Sequence, residues 1–98
     1  MNEKLLILYG RANCCLCRSL QERLENIPLC DLQPPLKLKV IDIDSRYVSD
    51  AIRIRYDLEV PVMAIELGGS LGNLNLPRVS PRLKEEGLFI WIQKQLLI

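Results

Sequence analysis

Histidine is absent from this 98-residue chain, and aromatic residues are scarce, with one tryptophan, one phenylalanine and three tyrosines. A metal site would therefore rest on cysteine and carboxylate ligands alone. An excess of one charge is lacking too. Thirteen lysines and arginines face twelve aspartates and glutamates, so the net charge of +1 gives no electrostatic footprint for nucleic acid or an anionic membrane surface. No apolar run approaches the length of a transmembrane helix. The run Leu5-Leu6-Ile7-Leu8-Tyr9 is too short for the apolar region of a secretion signal, and Glu3 stands in front of it. The chain is expected to stay in the reducing cytoplasm, where closely spaced cysteines point to catalysis or metal binding rather than structural disulfides. Repeats and low-complexity tracts are missing, and the proline- and glycine-bearing loops are too short for linkers, so residues 1–98 are expected to form a single domain.

What is present is a regular alternation of apolar segments. Leu5–Tyr9, ended by Gly10, reads as a strand buried on both faces. A helix opens at Asn13 or Cys14, with Leu16, Leu20, Leu24 and Ile27 on one apolar stripe and Arg18, Gln21, Glu22 and Glu25 towards water. Residues 36–43 alternate apolar and polar with the period of a strand. Asp44 or Ser45 is positioned to cap a second helix carrying Tyr47, Val48, Ala51, Ile52 and Ile54. A third strand is expected over residues 60–67, with Pro61 at its beginning where a missing N–H is tolerated. Gly68-Gly69-Ser70 supplies a turn into a short fourth strand at residues 73–76. Ser80-Pro81 resembles an N-cap followed by proline in the first helical position, and opens a last helix through Leu83, Phe89, Ile90, Trp91 and Leu97, weakened at Gly87. The order strand–helix–strand–helix–strand–strand–helix implies an α/β fold. Its first two strands should be parallel, joined by a right-handed crossover, and its last two antiparallel, giving a mixed four-stranded sheet flanked by three helices.

Cys14-Cys15-Leu16-Cys17 places a C-x-x-C pair, Cys14 and Cys17, between a buried strand and an amphipathic helix. The chemistry needs that placement. Unpaired N–H groups at a helix N-terminus stabilise a thiolate, the nucleophile of disulfide exchange, and lower the thiol pKa. Cys17, one turn further in, is close enough to form a disulfide with Cys14. Cys14 is therefore assigned as the attacking thiol and Cys17 as the resolving one, with Arg11 and Arg18 adding positive charge nearby. Cys15 reads as a small residue beside the site, and Cys30, in a proline-bounded loop, as a packing residue. A site for Zn²⁺ or an iron–sulfur cluster would need Cys14, Cys15, Cys17 and the distant Cys30 to converge, and the redox reading is preferred.

The segment Tyr9-Gly10-Arg11-Ala12-Asn13-Cys14-Cys15-Leu16-Cys17 after a strand, with Val60-Pro61-Val62 opening a later one, resembles the glutaredoxin-like branch of the thioredoxin superfamily. The resemblance implies a thioredoxin-like fold. It also implies that Pro61 is cis and lies against the cysteine pair, with the Val60 backbone pairing with the extended segment of a substrate. Arg11 takes the place of a lysine that meets a glutathione carboxylate in that family, so Arg11, Val60 and Pro61 are expected to bind substrate. Two departures argue against a tight glutathione site. Glu59 replaces a threonine, and Pro77-Arg78-Val79-Ser80-Pro81 stands where the family carries Gly-Gly and Asp.

The function expected from the sequence is thiol–disulfide exchange on a disulfide-containing protein or low-molecular-weight thiol. The protein should act as a monomer, with no tightly bound cofactor, no resident metal, and neither nucleic acid nor membrane as partner. A thioredoxin-fold binding module with little turnover is the alternative, and a cysteine-ligated metal carrier stands behind it.

Overall fold

In a computed structural model, residues 4–66 and 72–97 are described. Strand β1 (Lys4–Gly10) is followed by helix α1 (Cys15–Glu25) and a 3₁₀ turn at Leu29–Asp31. Strand β2 (Leu36–Asp42), helix α2 (Asp50–Tyr56), strands β3 (Val62–Glu66) and β4 (Asn73–Asn75), and helix α3 (Glu85–Leu96) complete the order. The sheet runs β2-β1-β3-β4. Strand β1 pairs in parallel with β2, from Lys4 opposite Leu36 to Gly10 opposite Asp42. It pairs antiparallel with β3, and β3 antiparallel with β4. This is the mixed α/β sheet of a thioredoxin-like fold.

The central position of β1 explains its uninterrupted apolar sequence. Successive side chains of a strand point to opposite faces. Leu6 and Leu8 enter a core with Leu20 and Leu24 of α1 and Leu88 and Ile92 of α3. Ile7 and Tyr9 enter a smaller core with Ile43, Tyr56 and Ala64 beneath α2. Helices α1 and α3 thus cover one face of the sheet and α2 the other.

Several sequence expectations are corrected. The buried stripe of α1 is Cys17, Leu20 and Leu24, whereas Leu16 is 48% exposed, because Cys17 rather than Leu16 turns towards the end of β1. Helix α2 starts at Asp50, not after Asp44 or Ser45. Its cap is Ser49, whose Oγ accepts from the Ile52 N–H at 3.3 Å. The preceding residues form turns, with the Asp44 N–H on Asp42 Oδ1 at 2.9 Å and Tyr47 left 83% exposed. Arg53 fixes that loop by donating to the carbonyls of Ile43 (3.0 Å) and Ser45 (3.1 Å).

Helix α3 likewise begins later than Ser80-Pro81, at Glu85 after Lys84. Ser80 holds a turn instead, its Oγ accepting from the Arg82 N–H at 3.2 Å and its carbonyl from the Leu83 N–H at 3.2 Å. The acids Glu85 and Glu86 suit the positive end of the helix dipole. Cys30 is exposed rather than packed, since Leu29 and Leu32 fill the core on either side of it. The third strand is shorter than expected, with Val60 and Pro61 ahead of it. Leu67 and the Gly68-Gly69-Ser70 turn lie outside the described residues.

Candidate functional site

The site forms where β1 ends and α1 begins. Cys14 is the N-cap of α1: its backbone is extended, and its Sγ accepts from the Cys17 N–H at 3.1 Å. A helix N-terminus leaves its first N–H groups without intrahelical partners, and one of them is here aimed at the Cys14 sulfur, a placement suited to stabilising negative charge on a thiolate. Cys14 and Cys17 are joined as a disulfide with Cα atoms 5.2 Å apart, well inside the usual span. Cys14 is half-buried while Cys17 is 6% exposed, so an approaching molecule meets Cys14 first. Gly10 makes this seat available. A Cβ there would stand 3.1 Å from Cys17 Cβ and 3.3 Å from its Sγ, so only glycine lets the helix start settle on the strand end without displacement.

Arg11 sits in the loop between β1 and Cys14, and its donors are committed within the chain. Its Nε–H and Nη2–H donate to the two carboxylate oxygens of Asp44 at 3.0 and 2.9 Å. Its Nη1–H donates to the Asp57 carbonyl at 2.9 Å, and Nη2 lies 3.0 Å from Asp57 Oδ1. Asp44, and secondly Asp57, hold the guanidinium protonated even more firmly than usual, and Arg11 in turn holds the Asp44 carboxyl below its ordinary value. A substrate carboxylate would have to compete with both aspartates.

Val60 and Pro61 lead into β3, and the peptide bond between them is cis. The Val60 N–H donates to the Tyr56 carbonyl at 3.2 Å, so what this backbone can offer a partner is its carbonyl. Pro61 lies in a groove of about 450 Å³. Its walls include Arg55, Tyr56, Glu59, Asn75, Pro77 and Arg78. Arg78 Nη1 donates to the Glu59 carbonyl at 3.1 Å, a residue that sequence reasoning noted only as a departure. The Tyr56 hydroxyl accepts from Asn75 Nδ2 at 2.9 Å. Burial, with Tyr56 alongside, pushes the Tyr9 phenol up. A smaller cleft joins Pro61 and Arg78 to Leu16 near the start of α1. On the other side of the cysteines a groove of about 510 Å³ runs between α1 and β2, past Cys14, Cys17, Arg18 and Glu22.

Cys15 and Cys30 are free, exposed thiols. Among the described residues, no three cysteine, aspartate or glutamate side chains gather as a metal site, and no helix is long and apolar enough to cross a membrane.

The sequence matches the family model described as "Glutaredoxin-like domain (DUF836)" over residues 5–93. The chain belongs to this family. A comparison with curated proteins finds no match. Among solved structures, the chain is similar to the X-ray structure of a structural-genomics target protein, XcR50 from X. campestris. The TM-score is 0.52 and the identity 24%, over 91% of this chain and 96% of that one. That likeness concerns the fold. Together with the family match and the Cys14–Cys17 pair at α1, it agrees with a glutaredoxin-like member of the thioredoxin superfamily.

Proposed function

We propose that this protein is a thiol–disulfide oxidoreductase in which Cys14 is the nucleophile and Cys17 the resolving thiol. The observation that carries the reading is the asymmetry of the pair: a half-buried Cys14 Sγ facing the Cys17 N–H, and a buried Cys17 behind it. In the reduced protein the Cys14 thiolate attacks one sulfur of a substrate disulfide. A Cys14–substrate mixed disulfide forms and the other substrate sulfur leaves as a thiolate. Cys17, deprotonated, then attacks Cys14 Sγ. The remaining substrate sulfur departs, and the Cys14–Cys17 disulfide closes. Two electrons pass to the substrate, and a dithiol or thiol reductant must return them.

In this reading an extended segment bound at the Pro61 groove reaches Cys14 past Leu16 of α1, which shares a cleft with Pro61. Arg11, the cation expected to meet a glutathione carboxylate, is already held by Asp44 and Asp57, which disfavours a small anionic tripeptide. A protein disulfide is accordingly the favoured substrate and glutathione a poor one.

The test is Cys17→Ser. It should accumulate mixed disulfides through Cys14 with a disulfide-bonded protein substrate, and Cys14→Ser should abolish both trapping and turnover. Absence of turnover in the wild-type protein, with trapping shifted to Cys15 or Cys30, would overturn the assignment. Binding at the Pro61 groove without turnover would favour the binding-module alternative.

A further inference from the structure

The two aspartates on Arg11 give this arginine a different task from the one its position in the sequence suggests. The Arg11 carbonyl accepts from the Cys14 N–H at 3.3 Å, so whatever fixes Arg11 also fixes the backbone of the nucleophile. The guanidinium is fixed from two directions. Asp44 comes from the loop after β2, thirty-three positions along the chain. Asp57 follows α2, forty-six positions along. The loop bearing Asp44 is itself anchored, by Arg53 on the Ile43 and Ser45 carbonyls and by the Ile43 N–H on the Gly10 carbonyl at 2.9 Å. A continuous run of bonds thus leads from α2, through Asp44 and Arg11, to the N–H of Cys14. Four donor contacts in the plane of one guanidinium suit a fork and not a point charge.

We propose that Arg11, with Asp44 and Asp57, is a positioning clamp for Cys14 rather than a receptor for a substrate carboxylate. The clamp sets the orientation in which Cys14 Sγ meets the Cys17 N–H, and so the reactivity of the thiolate. The proposal rests on the reading of Cys14 as the nucleophile. It needs no turnover to be examined, because thiol reactivity is measurable in the reduced protein alone.

Three mechanisms predict different signs for Asp44→Asn, and this makes it the deciding variant. If Asp44 acts only through its field, its removal takes a negative charge from beside Arg11 and speeds Cys14. If Arg11 awaits a substrate carboxylate, releasing it from Asp44 improves turnover of an anionic disulfide and leaves the thiol unchanged. If the clamp positions Cys14, the bidentate hold is lost and Cys14 slows. The experiment is the rate of iodoacetamide alkylation of Cys14 across pH, resolved by peptide mapping, in reduced wild type, Asp44→Asn, Arg11→Lys and Arg11→Ala. Cys15 serves as the internal control in each protein. We expect a severalfold slowing at Cys14 in all three variants, with the Cys15 rate unchanged and Arg11→Lys failing to rescue. Faster alkylation in Asp44→Asn, an unchanged rate, or full rescue by Arg11→Lys would each overturn the clamp. If turnover fails in wild type while the alkylation rates follow this order, the oxidoreductase reading falls and the positioning role stands.

Discussion

At the scale of the residue, the site is made by contacts that no spacing rule contains. Arg11 lies three positions before Cys14, where the family resemblance implied an anionic ligand. Its partners Asp44 and Asp57 belong to distant loops, so the sequence held the cation and concealed what satisfies it. Gly10 was visible only as the end of an apolar run, whereas its decisive property is the room it leaves for Cys17. The pair Arg11–Asp44 also carries a pH signature. Asp44 is held below its ordinary carboxyl value of 3.8, chiefly by the Arg11 hydrogen bond. A carboxyl whose folded pKa is depressed stabilises the fold above its unfolded pKa and loses that contribution as pH falls through the folded value. Wild type should therefore be more stable than Asp44→Asn at neutral pH, with the gap closing below about pH 4. Urea unfolding followed by circular dichroism at several pH values measures this. A gap that persists undiminished in strong acid would assign the stability to something other than the ion pair.

At the scale of the element, strands were easier to read than helix starts. The run Leu5–Tyr9 and the alternation of Leu36 and Leu38 with Lys37 and Lys39 follow the burial of their strands, although Val40 further along is 44% exposed. A helix start depends on one side chain, and this chain offers several competent ones. Asp44, Ser45 and Ser49 all have capping chemistry. The choice falls to Ser49 because Arg53 draws the preceding loop into turns by binding its carbonyls. Ser80-Pro81 carries a start signal, but Ser80 is spent on a turn with Arg82 and Leu83, and the first turn of α3 falls at Glu85. The difference is measurable. Ser49→Ala removes a cap and should cost about 1 kcal/mol. Ser80→Ala removes one turn hydrogen bond at an exposed site and should stay within about 0.5 kcal/mol of wild type. Equal losses in chemical denaturation would return Ser80 to the role its sequence suggests. The first helix start was legible at the level of function, since the capping side chain is Cys14 itself, and serine in its place would keep the cap while removing the chemistry.

At the scale of the molecule, the two faces of the sheet are unequal, and this bears on how the site behaves. Helices α1 and α3 close a large core that includes Leu6, Leu8, Leu20, Leu24, Leu88 and Ile92. The opposite face is covered by α2, a helix of seven residues whose buried side chain is Tyr56, with Ile54 left 76% exposed. The cysteines ride on the well-buried side through Cys17, whereas the residues that clamp Arg11 belong to the lightly buried side. Segments with few buried apolar contacts open locally at lower free energy than the core. Amides of β1 and α1 should therefore exchange hydrogen slowest, and those of α2 and residues 43–49 markedly faster, by opening that leaves the large core intact. Two variants separate local from global opening. Ile92→Ala, which empties part of the large core at a cost of roughly 2–5 kcal/mol, should accelerate exchange throughout the chain. Asp44→Asn should accelerate exchange in residues 43–58 and around Cys14 while leaving Leu6, Leu20 and Leu24 protected. Mass-resolved exchange on peptides from both variants distinguishes these outcomes. Uniform acceleration in Asp44→Asn would mean that the clamp is part of the global fold and that α2 does not open on its own.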